Sequence, residues 1–473
     1  MAEDPVDLSA PRRIHLVGVG GAGISAIGII LARMGHRVSG SDVVETKAWP
    51  SLAEAGVRAE VVDPERLFDA DDDVELVAHS SAFAPGPADL GAARAAGRRI
   101  VDRAAILAAV CARRPSIGVA GTHGKTSTTA MLATLLDGVG ADPSFLVGSV
   151  PVGLGAAARW GGDGGAFVVE ADESDGSFLE LGVTTALVTN VDEDHLDHWG
   201  DLDAIEAAFD RYVAEADRAA VCIDHPDGSG VAEERALRIA RRHGAVTVGE
   251  APEARHRIHD VAVDRLTTTF GLLLDGTEVG PVSIGTPGRH HARNAALAIV
   301  AAALHGVEPD AAVAAVGAYR GVARRFTVTG EAAGVTVVDD YAHNPGKIRA
   351  LLASAAEAGW GRVVVIFQPQ RYSRTATQGA AFGAALAGAD LVAVTDVYAA
   401  GEAPRPGVSG RTVLDALLDE RPWADAAWTP TLDDAAAWAA ARVRDGDLVL
   451  TVGAGDVHRC GPLLLDRLGG RAR

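Results

Sequence analysis

Cysteine, lysine and aromatic residues are scarce in this 473-residue sequence, and it has no long apolar runs. The three cysteines, Cys111, Cys222 and Cys460, are odd in number and form no CxxC pair, so we expect reduced core thiols in a cytoplasmic protein rather than a disulfide framework. The longest apolar runs, such as the ten residues 295–304, are too short to cross a bilayer, and the polar first dozen residues do not resemble a signal peptide. Membrane insertion is therefore not expected.

Positive charge is also in short supply. The chain has 43 Lys and Arg against 63 Asp and Glu, which gives a formal net charge of −20. Nucleic acids and anionic membranes need a basic face, so neither is expected as a partner. Only Lys47, Lys125 and Lys347 are lysines, which leaves 40 arginines (43 minus 3). Because lysine and arginine are not interchangeable at a compact phosphate site, each retained lysine is a functional candidate.

The sequence does have the ordinary balance of a globular protein, with 48% hydrophobic and 22% charged residues, in a chain long enough for about three domains. Short runs rich in Val and Ile alternate with Ala-rich helical stretches, which predicts an α/β fold with parallel sheets and crossover helices. The pattern divides into residues 1–113, 114–322 and 323–473. Residues 257–284 alternate around an Asp-Gly turn, which predicts a small antiparallel meander in the middle region.

A glycine-rich turn follows the first expected strand, in the stretch HLVGVGGAGIS. Gly18, Gly20 and Gly23 form a GxGxxG pattern that also contains Gly21, and Asp42 ends the next expected strand. Glycines let a diphosphate approach the backbone, the start of the following helix favours its negative charge, and the acid suits a ribose hydroxyl. The pattern predicts either a nicotinamide dinucleotide or another ligand with a diphosphate and a ribose, such as a UDP-linked substrate.

A second glycine turn, GTHGKT at residues 121–126, lies between another expected strand and helix. In such a loop the backbone N–H groups cradle phosphates, the lysine meets the β- and γ-phosphates, and the threonine hydroxyl binds Mg²⁺. The common GxxxxGKT spacing would need glycine at position 119, where this chain has Val119, so the loop is a variant. We expect Lys125 and Thr126 to bind ATP and its metal ion.

Two acidic stretches follow strands in the same region. EADESDG begins at Glu170 and includes Glu173, and DEDHLDH spans residues 192–198. Carboxylates beside a phosphate loop suit Mg²⁺, and a histidine there could bind the metal or orient a phosphoryl oxygen. We expect most of these acids to be solvated loop residues, and single out Glu170 and His195 as site residues.

Two strand-to-helix junctions in the last third carry further candidates. The stretch VVDDYAHNPGK contains Asp340, Tyr341 and His343, and FQPQRYSRT contains Arg371 and Arg374. An Arg-x-x-Arg pair at the start of a helix suits the capture of a carboxylate or phosphate. A surface salt-bridge pair is the alternative, and the spacing does not decide between them.

Taken in this order, these stretches resemble the Mur ligase family. The motifs that carry the resemblance extend from residue 15 to 375 and are GVGGAGIS, GTHGKTSTT, EADESDGSF, TNVDEDHLDH, GRHHARN, RRF, DDYAHNP and FQPQRYSRT, with VGAGD near the end of the chain. The resemblance implies three domains. A Rossmann-like domain would bind a UDP-sugar, a central P-loop-type ATPase domain would hold a parallel sheet plus a small antiparallel sheet, and a second Rossmann-like domain would contact the amino acid and ATP.

The resemblance also implies a reaction. In it, ATP activates the lactyl carboxylate of UDP-N-acetylmuramate as an acyl phosphate, which the amine of L-alanine attacks, giving an amide, ADP and phosphate for peptidoglycan precursor synthesis. ATP with Mg²⁺ or Mn²⁺ would be the cofactors. The first glycine turn would then hold the UDP diphosphate rather than a nicotinamide.

Residue roles follow from the same resemblance. It implies that the ATP-binding residues are Gly121, Thr122, His123, Gly124, Lys125, Thr126, Ser127, Asn294 (at adenine), Arg324, Arg325 and Asp340. The UDP-sugar-binding residues would be Gly18, Gly20, Gly21, Gly23, Asp42, Ser80 and Ser81. The amino-acid-binding residues would be Tyr341, His343, Arg371 and Arg374. Thr126, Glu170 and His195 would bind metal, and Lys125, Glu170, His195 and His343 would be catalytic.

The chain departs from the family at three points. The family often has asparagine where this chain has His291, and a second histidine where it has Asn344, so local contacts are expected to differ there. Many sister ligases bind metal with a carbamylated lysine in the central domain. Lys125 is the only lysine between residues 48 and 346, so that role is expected to be absent or taken by a carboxylate or water.

Three other functions stay open. A recycling ligase would attach a ready-made peptide to UDP-N-acetylmuramate and would share most motifs. An NAD(P)-dependent oxidoreductase would explain only the first glycine turn and would leave Lys125 and His195 without a role. A non-catalytic nucleotide-binding protein would not need Lys125, Glu170, His195 and Asp340 together. The sequence also leaves the oligomeric state open between a monomer and a homodimer.

Overall fold

The computed structural model describes residues 5–63, 73–80, 90–224 and 230–469. They fall into two compact units. The first unit runs up to Val261 and takes in Phe270–Ile284 and His290–Tyr319, and the second consists of Ala262–Thr269, Gly285–Arg289 and the chain from Arg320 onward. The first unit holds a five-stranded sheet and most of a ten-stranded sheet, and the second holds a six-stranded sheet.

The five-stranded sheet is entirely parallel and has the strand order β3-β2-β1-β4-β5. Its elements are β1 (Arg13–Val17), α1 (Ala22–Arg33), β2 (Arg37–Asp42), α2 (Trp49–Ala55), β3 (Arg58–Val61), β4 (Leu76–His79), α3 (Gly91–Ala95), β5 (Arg99–Asp102) and α4 (Arg103–Cys111). The strand order reverses direction between β1 and β4, and in such sheets ligands bind outside the carboxyl ends of the strands at this point. Asp102 caps α4 by accepting a hydrogen bond of 2.8 Å from the backbone N–H of Ala105.

The ten-stranded sheet has the order β15-β14-β13-β12-β11-β10-β6-β9-β7-β8. Its strands are β6 (Ser116–Ala120), β7 (Ser144–Leu146), β8 (Ala158–Arg159), β9 (Phe167–Glu170), β10 (Thr185–Val188), β11 (Arg218–Cys222), β12 (Val246–Gly249), β13 (His256–Asp264), β14 (Thr267–Leu274) and β15 (Thr277–Ile284). Its helices are α5 (Lys125–Gly138), α6 (Leu196–Trp199), α7 (Leu202–Ala214), α8 (Gly230–His243), α9 (Arg289–Leu304) and α10 (Pro309–Val316), with a 3₁₀ helix at Ser177–Glu180.

The three-stranded meander of this sheet continues the parallel strands edge to edge. β12 pairs with β13 in parallel, so that β13, β14 and β15 extend one sheet. Asp275 and Gly276 join β14 to β15 with φ of 50° and 80°, the left-handed values that a two-residue type I′ turn requires. The Asp-Gly turn expected from the sequence is therefore present.

The six-stranded sheet has the order β16-β17-β21-β18-β19-β20, and only the β16–β17 pair is antiparallel. Its elements are β16 (Thr327–Ala332), β17 (Val335–Asp340), α11 (Pro345–Glu357), β18 (Val363–Phe367), α12 (Tyr372–Leu386), β19 (Leu391–Val394), α13 (Gly410–Glu420), β20 (Asp425–Trp428), α14 (Leu432–Ala440), β21 (Leu448–Val452) and α15 (Cys460–Arg467), with a 3₁₀ helix at Val457–Arg459. Pro345 occupies the first turn of α11, and Asn344 caps that helix through the backbone N–H of Lys347 at 2.8 Å.

Helices cover both faces of the central strands in this sheet. All five residues of β18 are buried. Val363, Val365 and Phe367 pack into one apolar cluster, whereas Val364 and Ile366 pack into another. Side chains alternate between the two faces of a strand, so a strand buried on both faces consists of a continuous apolar run. This explains why the sequence VVVIF has no polar position.

The α/β architecture with three sheets confirms the predicted fold class. The proposed boundaries at residues 113 and 322 stay a prediction. None of the helices in the described ranges is both long and apolar enough to cross a membrane.

Candidate active site

The turn after β6 has the backbone conformation of a phosphate-binding loop. Gly121 and Gly124 have φ of 125° and 85°, values that disfavour any side chain. A Cβ at Gly121 would lie 2.1 Å from Thr189 Oγ1, and one at Gly124 would lie 2.8 Å from Asn294 Oδ1. Gly124 caps α5, whose first residue is Lys125, so the amino end of a 14-residue helix faces this turn.

The segment that follows β10 holds the phosphate loop in place through side-chain and backbone hydrogen bonds. The Thr122 hydroxyl donates to the Asp192 carbonyl at 3.1 Å, and the Asp192 N–H donates back to this hydroxyl at 3.0 Å. The N–H of His123 donates to Asn190 Oδ1 at 2.9 Å, and Asn190 Nδ2 donates to the His123 carbonyl at 2.8 Å. His123 Nε2 also lies 3.3 Å from Asp192 Oδ2. The segment after β10 therefore fixes the predicted nucleotide residues Thr122 and His123.

Lys125 forms a buried ion pair that sequence reasoning missed. Its Nζ lies 2.8 Å from Oε1 and 2.7 Å from Oε2 of Glu173, and the Glu173 side chain is only 4% exposed. Nζ also donates to the carbonyls of Gly121 at 3.0 Å and Thr122 at 3.4 Å. Burial raises the pKa of Glu173, whereas the Lys125 ammonium opposes that rise.

Thr126 and Glu170, both predicted metal ligands, lie in direct contact. The Thr126 hydroxyl donates to Glu170 Oε1 at 2.9 Å, and the N–H of Gly148 donates to Oε2 at 2.7 Å. A Cβ at Gly148 would lie 2.7 Å from Oε2 and 3.0 Å from Oε1, so only glycine lets the backbone approach this carboxylate so closely. Glu170 is thereby held at the carboxyl end of β9, beside the first turn of α5.

His195 also lies near the Glu173 carboxylate. It has a left-handed φ of 52° at the start of α6. Its Nε2 is 4.0 Å from Glu173 Oε1 and 3.9 Å from Asp194 Oδ2. The indole N–H of Trp199, at the end of the same helix, donates to the Glu173 carbonyl at 3.0 Å. Glu173 is therefore the residue that connects Lys125 with the His195 segment.

The oxygen donors of Thr126 and Glu170 fit a hard divalent cation. Mg²⁺ is usually bound by one or two carboxylates together with waters and substrate phosphates, rather than by a cage made wholly of protein. Within the described ranges, no group of three or more His, Cys, Asp and Glu is arranged to hold a metal ion by itself.

Helix α9 contributes a polar residue to the phosphate loop. Asn294, predicted to contact adenine, is 6% exposed and lies against Gly124. Its Nδ2 has no hydrogen-bond partner in the part of the chain that the structure describes. The preceding rings of His290 and His291 are tilted by 41° to each other with centroids 4.1 Å apart. Burial lowers the pKa of His290 to about 4 and holds that of His291 well below its usual value.

The first glycine turn follows β1, at the point where the strand order reverses. Gly18 has φ of 76°, and the N–H groups of Gly18 and Val19 both donate to the Ser41 carbonyl, at 2.8 and 3.0 Å. Asp42 accepts a hydrogen bond of 2.8 Å from the N–H of Gly20, so this acid holds the turn in place. Gly21 is the extended N-cap of α1.

Two further residues of the predicted UDP-sugar site lie close to this turn, and a third falls outside the described ranges. Ser80 lies beside Gly18, since a Cβ there would be 3.4 Å from Ser80 Cβ. Gly23 faces Arg103, whose Nη1 would lie 3.5 Å from a Cβ at Gly23. Ser81 lies outside the described residues.

Arg103 was not foreseen as a site residue. It begins α4, and its Nη2 lies 3.4 Å from Asp175 Oδ2 and 3.5 Å from Ser177 Oγ. A guanidinium beside a glycine turn at a helix start is suited to a diphosphate. No spacing in the sequence signals this role, because Arg103 and Gly23 are brought together by the packing of two helices.

The predicted ATP-binding residues of the second unit differ in the contacts that they make within the protein. Arg324 donates to Asp339 Oδ2 at 3.2 Å and to the Gly453 carbonyl at 2.7 Å, and lies 5.0 Å over the ring of Tyr341. Arg325 is exposed. Asp340 accepts from the N–H groups of Phe326 and Ala342, both at 2.8 Å. Burial raises the pKa of Asp340, and those two hydrogen bonds and Arg325 counteract it.

The predicted amino-acid-binding residues gather at the carboxyl ends of β17 and β18. The rings of Tyr341 and His343 meet edge to face with centroids 5.1 Å apart, and His343 Nδ1 donates to the Tyr341 carbonyl at 2.9 Å. Burial lowers the pKa of His343, and the nearby cations Lys347, Arg374 and Arg325 lower it further. Such a group of cations around an unprotonated histidine suits an anionic ligand.

The two arginines of the FQPQRYSRT stretch have different settings. Arg371 has a left-handed φ of 66° as the N-cap of α12, and its N–H donates to the Tyr398 carbonyl at 2.9 Å. Arg374 Nη1 donates to Gln370 Oε1 at 3.2 Å. Gln370 thus orients the Arg374 guanidinium, a role that the sequence did not indicate.

Three family models match the chain in succession. The model described as the Mur ligase family catalytic domain matches residues 13–115, the Mur ligase middle domain matches residues 119–302, and the Mur ligase glutamate ligase domain matches residues 324–455.

Curated relatives match over nearly the whole length. The UDP-N-acetylmuramate–L-alanine ligase of Acidothermus cellulolyticus is 42% identical over 469 residues, which cover 98% of this chain and 97% of the relative. The enzyme of the same name from Thermobifida fusca is 41% identical, with 98% of both chains covered.

Solved structures share the fold. The UDP-N-acetylmuramate-alanine ligase of Thermotoga maritima superposes with a TM-score of 0.77 at 27% identity, covering 97% of this chain and 99% of that one. A murein peptide ligase from Psychrobacter arcticus superposes with a TM-score of 0.63 at 22% identity, covering 97% and 99%.

Proposed function

The chain belongs to the Mur ligase family, and we propose that it is an ATP-dependent ligase that joins L-alanine to the lactyl carboxylate of UDP-N-acetylmuramate. The reaction passes through an acyl phosphate and releases ADP and phosphate. The observation that carries this proposal is the contact of Thr126 with Glu170 directly beside Lys125, at a glycine turn that opens a helix. An oxidoreductase would have no use for these three residues.

ATP is held by the second glycine turn. The backbone N–H groups in the first turn of α5 face the phosphates, whereas those of Thr122 and His123 donate to Asn190. Lys125 offsets the charge that develops on the transferring phosphoryl group. Asn294 lies against the loop with an unpaired Nδ2 and is the proposed contact of the adenosine part. In the second unit, Arg325 and Asp340 are the proposed ATP contacts, because the Arg324 guanidinium is engaged by Asp339 and Gly453.

A divalent cation, Mg²⁺ or Mn²⁺, is the proposed cofactor. Thr126 and Glu170 would hold it, and His195 is the proposed ligand of a second ion. The ion would supply positive charge to the phosphoryl oxygens. Gly148 and Thr126 fix the two carboxylate oxygens of Glu170, so this side chain does not need to reorganise when the cation binds.

The first glycine turn and the residues that follow β17 and β18 are the proposed sites of the two other substrates. At the first glycine turn, the diphosphate of the UDP-sugar meets Gly18, Gly20, Gly21 and Gly23 and the amino end of α1. Asp42 is the proposed contact of the ribose hydroxyl, and Ser80 and Ser81 are further proposed contacts of the UDP-sugar. Tyr341, His343, Arg371 and Arg374 are the proposed contacts of L-alanine. Arg374 binds the carboxylate, and His343, whose pKa is lowered by burial, accepts the proton that the attacking amine must lose.

We further propose that the protein acts in the cytoplasm, where nucleotide-linked sugars and ATP are both available. It would supply peptidoglycan precursor synthesis with the first amide bond of the peptide. The proposed oligomeric state is a monomer or a homodimer.

Two experiments test the function. In the first, ADP release is measured with UDP-N-acetylmuramate, ATP and a panel of L-alanine, L-serine, glycine and a peptidoglycan tripeptide. We expect L-alanine to give the highest kcat/KM. Preference for the tripeptide would indicate a recycling ligase, and equal rates with all four acceptors would refute the substrate assignment.

The second experiment replaces the phosphate-loop lysine. Lys125→Ala should lower kcat for ADP release by about 100- to 1000-fold, the usual effect of losing a group that stabilises developing charge. Binding of UDP-N-acetylmuramate, measured by calorimetry, should stay unchanged and thus acts as the internal control. Unaltered turnover would refute the role of Lys125.

A further inference from the structure

The ammonium group of Lys125 has no donor left for a phosphate. A lysine ammonium has three N–H donors and no acceptor. In this structure Nζ lies within 3.4 Å of four acceptors, namely the carbonyls of Gly121 and Thr122 and both carboxylate oxygens of Glu173. The Lys125 side chain is only 13% exposed, so most of its surface is covered by the protein.

Glu173 is held in place independently of the lysine. Its backbone carbonyl accepts hydrogen bonds from the Trp199 indole at 3.0 Å and from the N–H of Gly176 at 3.2 Å. The Trp199 ring in turn packs edge to face on the buried ring of Phe178, with centroids 6.4 Å apart. These contacts fix the backbone at Glu173, and its carboxylate lies against Lys125 of the phosphate loop.

The Glu173 carboxylate occupies the place beside the Lys125 ammonium that a phosphate would take. Carboxylate and phosphate oxygens are both acceptors of charge-assisted hydrogen bonds from an ammonium, and they compete for the same donors. A phosphate that reaches Lys125 must replace some of the present contacts. The two contacts to Glu173 are the shortest of the four and carry the negative charge.

We propose that Glu173 is an internal anion that occupies Lys125 in the absence of nucleotide, so that ATP binds only by displacing its carboxylate from the ammonium. This inference rests on the proposed function, since it assumes that the loop binds ATP. Glu173 is then a positioning residue that acts through Lys125, and it lowers the apparent affinity for nucleotide by the fraction of molecules in which the lysine is free. Its carboxylate, once released, has His195 as its next neighbour at 4.0 Å.

Two substitutions of Glu173 distinguish the effect of its contact with Lys125 from the effect of its negative charge. Glu173→Gln keeps the shape of the side chain and removes its charge. Glu173→Asp keeps the charge but is one methylene shorter and withdraws the carboxylate from Nζ. Glu180→Gln is the matched control, because Glu180 is an exposed glutamate on the same segment, outside the proposed site. ATP binding is measured by calorimetry on the full chain without UDP-sugar and without divalent cations, so that the contribution of the lysine dominates. Thermal unfolding identifies the variants that are folded.

Displacement predicts that Glu173→Gln and Glu173→Asp each bind ATP about three- to tenfold more tightly than the unmodified chain, whereas Glu180→Gln binds it equally well. A folded variant of Glu173 that binds ATP no more tightly, or more weakly, would overturn the proposal. Tightening by Glu173→Gln alone would also overturn it, because that pattern reports general repulsion rather than contact. Absence of ATP binding by the unmodified chain, even with Mg²⁺, would instead contradict the proposed function.

Discussion

Thr126 donates a hydrogen bond of 2.9 Å from its hydroxyl to Oε1 of Glu170. The contact joins the first turn of α5 to the carboxyl end of β9, two elements that are neighbours only in the folded chain. It sets a hydroxyl and a carboxylate side by side next to Lys125, which is the arrangement that a nucleotide-bound cation needs.

Glycine at position 148 should be required for metal affinity. Gly148→Ala would place a Cβ 2.7 Å from Glu170 Oε2 and push the carboxylate off the N–H that now orients it. Loss of such an orienting contact typically costs about 10- to 100-fold in metal affinity. We expect the Mg²⁺ concentration for half-maximal ADP release to rise about tenfold or more.

The control for this substitution is Gly153→Ala. Gly153 has no atom within 4 Å of the added Cβ, and its φ lies outside the left-handed region. It lies on the same loop, so a general effect of the loop would appear in both variants. Equal Mg²⁺ requirements for the two variants would show that Gly148 does not orient Glu170.

Removal of Lys125 should destabilise the fold as well as stop the reaction. Lys125→Ala leaves the Glu173 carboxylate, which is 4% exposed, buried without its partner. Breaking a buried pair in this way costs about 3–5 kcal/mol in the free energy of unfolding. The double variant Lys125→Ala with Glu173→Gln removes the unpaired charge, and we expect it to recover most of this loss in urea unfolding. A double variant as unstable as the single one would mean that the unpaired Glu173 charge is not the cause of the loss.

Arg374 should determine the affinity for the amino acid. Arg374→Ala removes the guanidinium that Gln370 orients and that we assign to the alanine carboxylate. The KM for L-alanine should rise about 10- to 100-fold, as expected for losing a charge-assisted hydrogen bond, while the KM for ATP stays unchanged. Arg411→Ala serves as the control, because this exposed arginine of α13 stacks on Trp428, outside the proposed site. A similar KM increase in both variants would refute the assignment.

Stability should fall in mild acid because of His290. Burial lowers the pKa of this ring from 6.5 to about 4 in the folded chain. Between these values the unfolded chain binds the proton and the folded chain does not, so the contribution is complete above pH 6.5 and is lost as the pH falls towards 4. In thermal unfolding, His290→Gln should show a flatter pH dependence than the unmodified chain over this range.

The pKa of His259 is shifted in the opposite direction to that of His290. Hydrogen bonds to Asp260 and Glu278 raise its pKa above 6.5, so its contribution is present at low pH and is lost as the pH rises through the folded value. His259→Gln should therefore lower stability at low pH only. If His290→Gln and the unmodified chain showed the same pH dependence of thermal unfolding between pH 4 and 6.5, groups other than His290 would account for the loss of stability in acid.

The sequence predicted those features that depend on neighbouring residues. Gly18, Gly121 and Gly124 were expected in tight turns, and all three have positive φ. The Asp-Gly turn between β14 and β15 was expected for the same reason, because turn geometry is encoded within a few residues. The fold class followed from how these local signals alternate.

Short edge elements were missed. β3 has four residues, of which three are exposed, and β8 has only two residues. Neither has an apolar pattern of its own, and each is a strand because a neighbouring strand supplies hydrogen bonds. β16 is likewise defined by its antiparallel pairing with β17.

Glu173 shows the same limit at the site. In the sequence it is one acid among several after β9, and it was expected to be solvated together with most of them. In the structure it is almost fully buried against Lys125, 48 residues earlier in the chain. Burial of a charge requires a partner, and a partner so distant along the chain leaves no periodic trace in the sequence.

The sequence by itself determined the glycine turns, the buried strands and the order of the family motifs, since backbone conformation and apolar patterning act between near neighbours. Only the tertiary structure decided which charges meet: Glu173 with Lys125, Arg103 with Asp175 and Arg324 with Asp339. These contacts join residues that are 15 to 72 positions apart in the chain and meet only through tertiary packing. The energy of each pair depends on burial that exists only after folding.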